Sequence, residues 1–189
     1  MSKKRIIIGL TGASGVIYGI RLLDVMQSLG VFEIHLIMSQ SAEQVIKIET
    51  DYSIDQIHKK ANFVHNNVDQ SSSVSSGSFI TSGMIIVPCS IKTLSGIKNS
   101  YNDSLMVRAA DVVLKERRRL VLCIRETPFH LGHINLMEEL CRMGSTIFPL
   151  IPSFYRKPNC ISDIVDQVVF RILDQFGIFL EHSSRYSKN

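Results

Sequence analysis

Leu120-Val121-Leu122-Cys123-Ile124 runs directly into Arg125-Glu126-Thr127-Pro128. A run of five apolar residues fits a strand covered on both faces, the situation of a parallel sheet. The carboxyl ends of parallel strands share one edge, and open α/β sheets bind ligands outside it. Arg125 and Glu126 stand at that edge. The Arg125 guanidinium offers a planar fork of donors to a phosphate, and Glu126 offers a group that carries protons. A solvated, salt-bridging loop is the competing reading of the same pair.

The chain on either side alternates. Apolar runs predict strands at 5–10, 33–38, 84–87 and 120–124, with a short one at 145–148. Helical spacing predicts helices over 16–29, about 40–50, from near Ile54, and over 103–118, about 131–143 and 161–176. Gly30 marks one helix end. Five strands separated by helices predict an α/β fold with a parallel sheet, right-handed crossovers and helices on both faces. Serine-rich 69–78 reads as a flexible loop rather than a linker, so 1–189 is expected to form one domain. The polar tail from about 181 is expected to be mobile or held in subunit contacts.

Composition excludes several classes. With 189 residues, 45% hydrophobic and a net charge of +4, the chain suits a globular domain. The basic runs Lys3-Lys4-Arg5 and Arg117-Arg118-Arg119 are too short to argue for nucleic acid. The mild positive charge is compatible with anionic substrates. Cys89, Cys123, Cys141 and Cys160 show no C-x-x-C pairing and no disulfide framework. No stretch has the length of a membrane span and no signal-peptide pattern opens the chain, so the cytoplasm is expected.

The loops after the strands hold the candidate chemistry. Gly12-Ala13-Ser14-Gly15 permits close backbone approach, and the following helix N-terminus offers free amides to an anion. It lacks the dinucleotide fingerprint, and no acidic residue ends the second strand, which argues against NAD. A tight packing turn is the alternative. Ser39 either caps a helix, meets a ribityl or ribose hydroxyl, or does both. Ser90-Ile91-Lys92-Thr93 supplies hydroxyls, an ammonium and amides, a cradle for a phosphate or a polar ring edge.

Arg108 and Lys115 fall on one helical face, suiting either phosphate or surface ion pairs. Tyr155 lies in a proline-bounded loop. Arg171 shares a helix face with Val168 and must find an anion or reach solvent. Glu49 ends a helix, where a carboxylate is electrostatically misplaced, and that makes it a candidate for function. His130 and His133 have a metal-compatible spacing but no third ligand nearby. Cys89 sits in the proposed cradle, while the other cysteines read as core.

In order along the chain, Gly12-Ala13-Ser14-Gly15, Ser76-Gly77-Ser78-Phe79, Pro88-Cys89-Ser90-Ile91-Lys92-Thr93, Arg108 through Arg118, Arg125-Glu126-Thr127-Pro128 and Pro152-Ser153-Phe154-Tyr155 match one pattern. Together they resemble the UbiX-type flavin prenyltransferases over about residues 5–180. The resemblance implies a flavodoxin-like Rossmann three-layer core, a dodecamer with sites between subunits, and no decarboxylase activity of its own. It implies transfer of the dimethylallyl group of dimethylallyl monophosphate to N5 and C6 of reduced FMN, without a metal. The product, prenylated FMN, would serve a UbiD-type decarboxylase, often in ubiquinone synthesis.

Carried over by position, Gly12, Ala13, Ser14, Ser39, Ser90, Ile91, Lys92, Thr93 and Arg125 would bind FMN. Tyr155 and Arg171 would bind the dimethylallyl phosphate, with Arg108 and Lys115 adding positive charge. Glu49 and Glu126 would handle protons, and Lys115 and Ser14 complete the catalytic set. The chain departs from the family at Arg119, usually proline, and at Gln40, usually lysine. It also lacks the tail tryptophan, for which Tyr186 is the nearest candidate. The alternatives are a cysteine-decarboxylase-type flavoprotein, against which the 88–93 loop argues, and a non-catalytic flavin-delivery subunit.

Overall fold

The computed structural model describes residues 3–180. Six parallel strands form the sheet: β1 (Lys4–Leu10), β2 (Phe32–Met38), β3 (Phe63–Asn66), β4 (Gly83–Cys89), β5 (Arg119–Ile124) and β6 (Thr146–Ile147). Their spatial order is β3-β2-β1-β4-β5-β6, a flavodoxin-like arrangement with β3 added outside β2. Seven helices cover it: α1 (Val16–Leu29), α2 (Gln40–Glu49), α3 (Ile54–His58), α4 (Ile91–Lys98), α5 (Leu105–Lys115), α6 (Leu131–Arg142) and α7 (Ile161–Asp174).

Side-chain alternation along the central strands builds two cores. Ile6, Ile8, Leu10, Val121 and Cys123 face one layer, which is closed by α1, α2 and α7. Ile7, Met84, Ile86, Leu120, Leu122 and Ile124 face the other, closed by α4, α5 and α6. This is why 120–124 reads as an unbroken apolar run: both faces are covered. Each fully buried branched side chain contributes about 1.5–3 kcal/mol of transfer free energy. Gly19 sits where α1 crosses the sheet, and a Cβ there would lie 2.5 Å from the Val87 carbonyl oxygen. Arg21 of α1 makes a two-pronged pair with Asp166 of α7, at 2.6 and 3.1 Å.

Three expectations are corrected. The sheet has six strands, because Phe63-Val64-His65-Asn66 pairs with β2. That strand is short, mostly exposed and on an edge, so it carries no clear hydrophobic period. The 69–78 segment is not a loose loop. It contains a 3₁₀ turn over Ser73–Ser75 with Val74 buried, and Arg118 donates to the Gly77 and Phe79 carbonyls at 2.6 and 2.9 Å. The helix predicted over 103–118 is trimmed at both ends. Ser104 caps its start, and Arg117 takes a left-handed φ of 53° just past its end. Arg119 opens β5 and donates to the Gln175 carbonyl. Tyr186 and the tail from 181 lie outside the described residues.

A directed hydrogen-bond chain joins β2 to β3. His35, 3% exposed, reaches Glu33 Oε1 through Nε2 at 3.0 Å and His65 Nε2 through Nδ1 at 2.9 Å. His65 Nδ1 meets the Ser72 hydroxyl at 2.7 Å. One assignment satisfies every group with both rings neutral: Ser72 donates to His65, His65 to His35, and His35 to Glu33. Burial pushes both imidazoles below their usual pKa, and the Glu33 carboxylate only partly offsets this at His35. Arg5, also paired with Glu33, adds to the lowering at His35, whereas Asp69 opposes it at His65.

A folded-state pKa below the unfolded value means that the unfolded chain takes up protons first as pH falls. Stability held above about pH 6.5 is therefore lost on acidification towards the depressed values. The urea midpoint is expected to be lower at pH 5.5 than at pH 7.5, and equal midpoints would contradict the neutral pair.

Candidate functional site

A cavity of about 730 Å³ opens at the carboxyl edge of the sheet, lined by Thr11 and Gly12 after β1, Ser39 after β2 and Ser90 after β4. It lies at the β1/β4 junction, where the strand order reverses, the position of ligand crevices in open α/β sheets. Its volume falls within the roughly 300–1,000 Å³ of small-molecule sites.

Three helices begin at this cavity, each capped by a serine. Ser39 accepts from the Ala42 amide at 3.1 Å, Ser90 from Thr93 at 3.4 Å and Ser104 from Val107 at 3.4 Å. The remaining first-turn amides of α2 and α4 and the helix dipoles favour an anion here. Lys92 and Thr93 also line the cavity, and Ile91 is the first residue of α4. A Cβ at Gly12 would collide with Ser41 at the start of α2, so the glycine lets the β1–α1 turn pack against that helix.

Sequence reading missed Asn67. Its Oδ1 accepts from the Met106 amide at 3.0 Å and its carbonyl from Leu105 at 2.8 Å. It thereby satisfies the opening amides of α5 and anchors one wall. The Asn66-Asn67 turn signal was its only sequence mark.

The expectation for Glu49 is corrected. It is the last residue of α2, yet its carboxylate does not face that helix's negative end. Glu49 Oε2 accepts from the amides of Gly15 and Val16 at 2.8 and 3.3 Å. It therefore sits at the positive N-terminus of α1, a favourable position. Gly15, with φ 94°, has no side chain to cap that helix. The carboxylate takes the place of a cap and holds the amides that an anionic ligand would otherwise use. Ala13 and exposed Ser14 lie on the same turn.

At the β5 exit, Arg125 is exposed and Glu126 half-buried. Glu126 Oε1 accepts from the Thr127 amide at 2.9 Å. Among the described residues neither forms an ion pair, so the salt-bridged loop is not what this junction builds. Tyr155 is exposed before α7, with the Arg156 guanidinium 5.6 Å from its ring centre. Arg171 lies in the last turn of α7 and resolves its position by reaching solvent and pairing with Asp174 at 2.5 Å.

Arg108 and Lys115 do share a face, as their spacing implies. Arg108 Nε donates to the Ser75 carbonyl at 3.2 Å, and Lys115 Nζ meets Glu116 at 2.5 Å beside Gly77. The fold does not bring Lys115 to the cavity. Helix α5 starts at the carboxyl edge, beside Asn67, and runs back to the amino edge, where β5 begins. Its 11 residues span about 16 Å. Lys115 is at the far end.

His130 Nδ1 accepts from the Gly132 amide at 3.0 Å, so it caps α6. No group of three or more metal-binding side chains occurs among the described residues. Burial pushes the Cys89 thiol up to about 12, which makes it a core residue and not a nucleophile. No helix among the described residues is long and apolar enough to cross a membrane.

A family model described as Flavoprotein matches residues 1–173. The chain is 54% identical over 177 residues to the flavin prenyltransferase UbiX of Escherichia coli K12, covering 94% of each. Its fold is similar to that of AnUbiX solved in complex with FMN and dimethylallyl pyrophosphate, with a TM-score of 0.97, 46% identity and 99% of both chains covered. A dodecameric FMN-dependent Ubix-like decarboxylase from Escherichia coli O157:H7 superposes with a TM-score of 0.95 at 46% identity, covering 97% of this chain and 100% of that one.

Proposed function

The chain belongs to the flavoprotein family, in its flavin prenyltransferase branch, and from that premise we propose how its own residues carry the reaction. It transfers the dimethylallyl group of a dimethylallyl phosphate to reduced FMN. The observation that carries this at the level of geometry is the meeting of three serine-capped helix starts in one cavity at the β1/β4 junction. Gly12, Ala13, Ser14, Ser39, the 90–93 segment and Arg125 hold the flavin.

Reduced FMN supplies two electron-rich positions, N5 and C6. Bond formation at N5 releases phosphate and one proton. Bond formation at C6 releases a second proton, and the prenyl double bond takes one up. Net, one dimethylallyl phosphate and one reduced flavin give one tetracyclic flavin and one phosphate. Glu49 and Glu126 are the carboxylates to which we assign the movement of these protons. Tyr155, Arg171, Arg108 and Lys115 bind the phosphate and stabilise the charge it gains on leaving. Covering of the open cavity by a second copy of the chain would limit quenching of the cation-like prenyl group by water.

Lys115 reaches a cleft only from a second copy of the chain. A homo-oligomer, as in the dodecameric relative, supplies that copy. The exposed apolar side chains Phe129, Leu131, Ile134, Ile151, Phe154 and Ile161 around the β5 and β6 exits suit such burial. Four free cysteines suit a reducing cytoplasm. The product is handed to a UbiD-type decarboxylase, with ubiquinone synthesis the pathway that the family resemblance suggests.

Anaerobic incubation with reduced FMN and dimethylallyl monophosphate, followed by mass spectrometry of the extracted flavin, tests this reading. The expected result is a flavin heavier by one prenyl unit. Unchanged FMN would overturn it.

A further inference from the structure

Thr11 is 1% exposed and follows the last residue of β1. The β1–β4 ladder runs through Ile7, Ile8 and Gly9 paired with Met84, Ile85 and Ile86. The ladder ends there, and the cavity opens at this switch point. The Thr11 hydroxyl spans the opening. It donates to the Pro88 carbonyl at 2.7 Å and accepts from the Ser90 amide at 2.8 Å. One side chain thus stands in for the absent rung, using both its donor and an acceptor lone pair.

Its partners are what give this bridge a role beyond packing. Ser90 is the cap of α4, and the Thr93 amide is already held by Ser90 Oγ. With the Ser90 amide held by Thr11, the uncommitted donors at the start of α4 are the amides of Ile91 and Lys92. Thr11 therefore sets both the position of α4 against β1 and which of its first amides stay uncommitted.

We propose that Thr11 is a positioning residue for flavin: its hydroxyl fixes the α4 N-terminus so that the Ile91 and Lys92 amides meet the bound ligand. This rests on the flavin site proposed above. Without the hydroxyl, the Pro88 carbonyl and Ser90 amide lose their partner in a buried place, and the Ser90 amide is free to turn.

The test compares Thr11→Val, of similar shape but without the hydroxyl, with Thr11→Ser, which keeps it. FMN affinity is measured by flavin fluorescence titration alongside the melting temperature. Thr11→Val is expected to weaken FMN binding by about tenfold or more, the equivalent of one lost hydrogen bond. Thr11→Ser is expected to stay within about twofold of wild type. A purely structural hydroxyl would lower the melting temperature of Thr11→Val while its folded fraction bound FMN normally, and that result overturns the proposal. If Thr11→Val does not fold, Thr11→Ser decides: near-normal affinity supports the role, and a tenfold loss overturns it. Wild-type protein that binds FMN but yields no prenylated flavin would sink the reaction assignment and leave the Thr11 result standing.

Discussion

Glu49→Gln is expected to keep FMN bound and to lower turnover by about 10²–10⁴-fold, the usual contribution of a positioned acid or base. The substitution separates two duties of this residue. The amide oxygen of glutamine can still accept from the Gly15 and Val16 amides, which Glu49 holds at 2.8 and 3.3 Å. The α1 start is therefore preserved, and only the charge and the proton-accepting capacity are removed. Single-turnover mixing of reduced FMN and dimethylallyl monophosphate, followed by flavin absorbance, measures the step directly. A wild-type rate would remove Glu49 from the chemistry and leave it a helix cap. A loss of FMN affinity equal to the loss of rate would show instead that its charge organises the binding turn.

Lys115→Ala is expected to cost about 10²-fold or more in turnover, as for removal of a group stabilising charge on a leaving phosphate. Lys115 stands at the amino edge beside Gly77, whereas Glu49 stands at the α1 start on the carboxyl edge. If Lys115 serves a cleft, it serves that of another copy. Co-expressing Lys115→Ala with Glu49→Gln is then expected to restore activity, although each alone is impaired. Under random assembly of equal amounts, roughly a quarter of clefts receive both intact residues in a symmetric oligomer. The measurement is prenylated flavin formed per chain by the purified mixed oligomer. No recovery above the single variants would place both residues in one chain's duty or remove Lys115 from the site.

Much of the site was legible because it lies where local rules operate. Ser39 and Ser90 are read as caps from their position before helical runs, and both cap. Gly12 reads either as a point of close approach to a ligand or as a tight packing turn, and its contact with Ser41 is that of the packing turn. Arg125 and Glu126 were placed at the sheet edge by the apolar run before them. The fold was legible for the same reason, since two-sided burial leaves an unbroken apolar signature in 120–124 and in 84–87. The edge strand β3 escaped notice because partial exposure erases that signature.

The sequence by itself determined a parallel α/β sheet, the edge at which the cavity opens, and the serine-capped helix starts. Each of these follows from hydrophobic period, chain direction and residues adjacent along the chain. Tertiary structure alone decided which charges meet. Glu49 reads as misplaced on its own helix, whereas its partner amides lie 34 and 33 residues away. The Thr11 bridge to Pro88 and Ser90 joins residues 77 and 79 apart. Lys115 shares a helix with cavity-lining Met106 but ends on the opposite edge, because α5 runs against the strands. Propensity and period act within a turn or a strand, whereas hydrogen bonds and charge act through space, and the crossovers of the sheet set those distances.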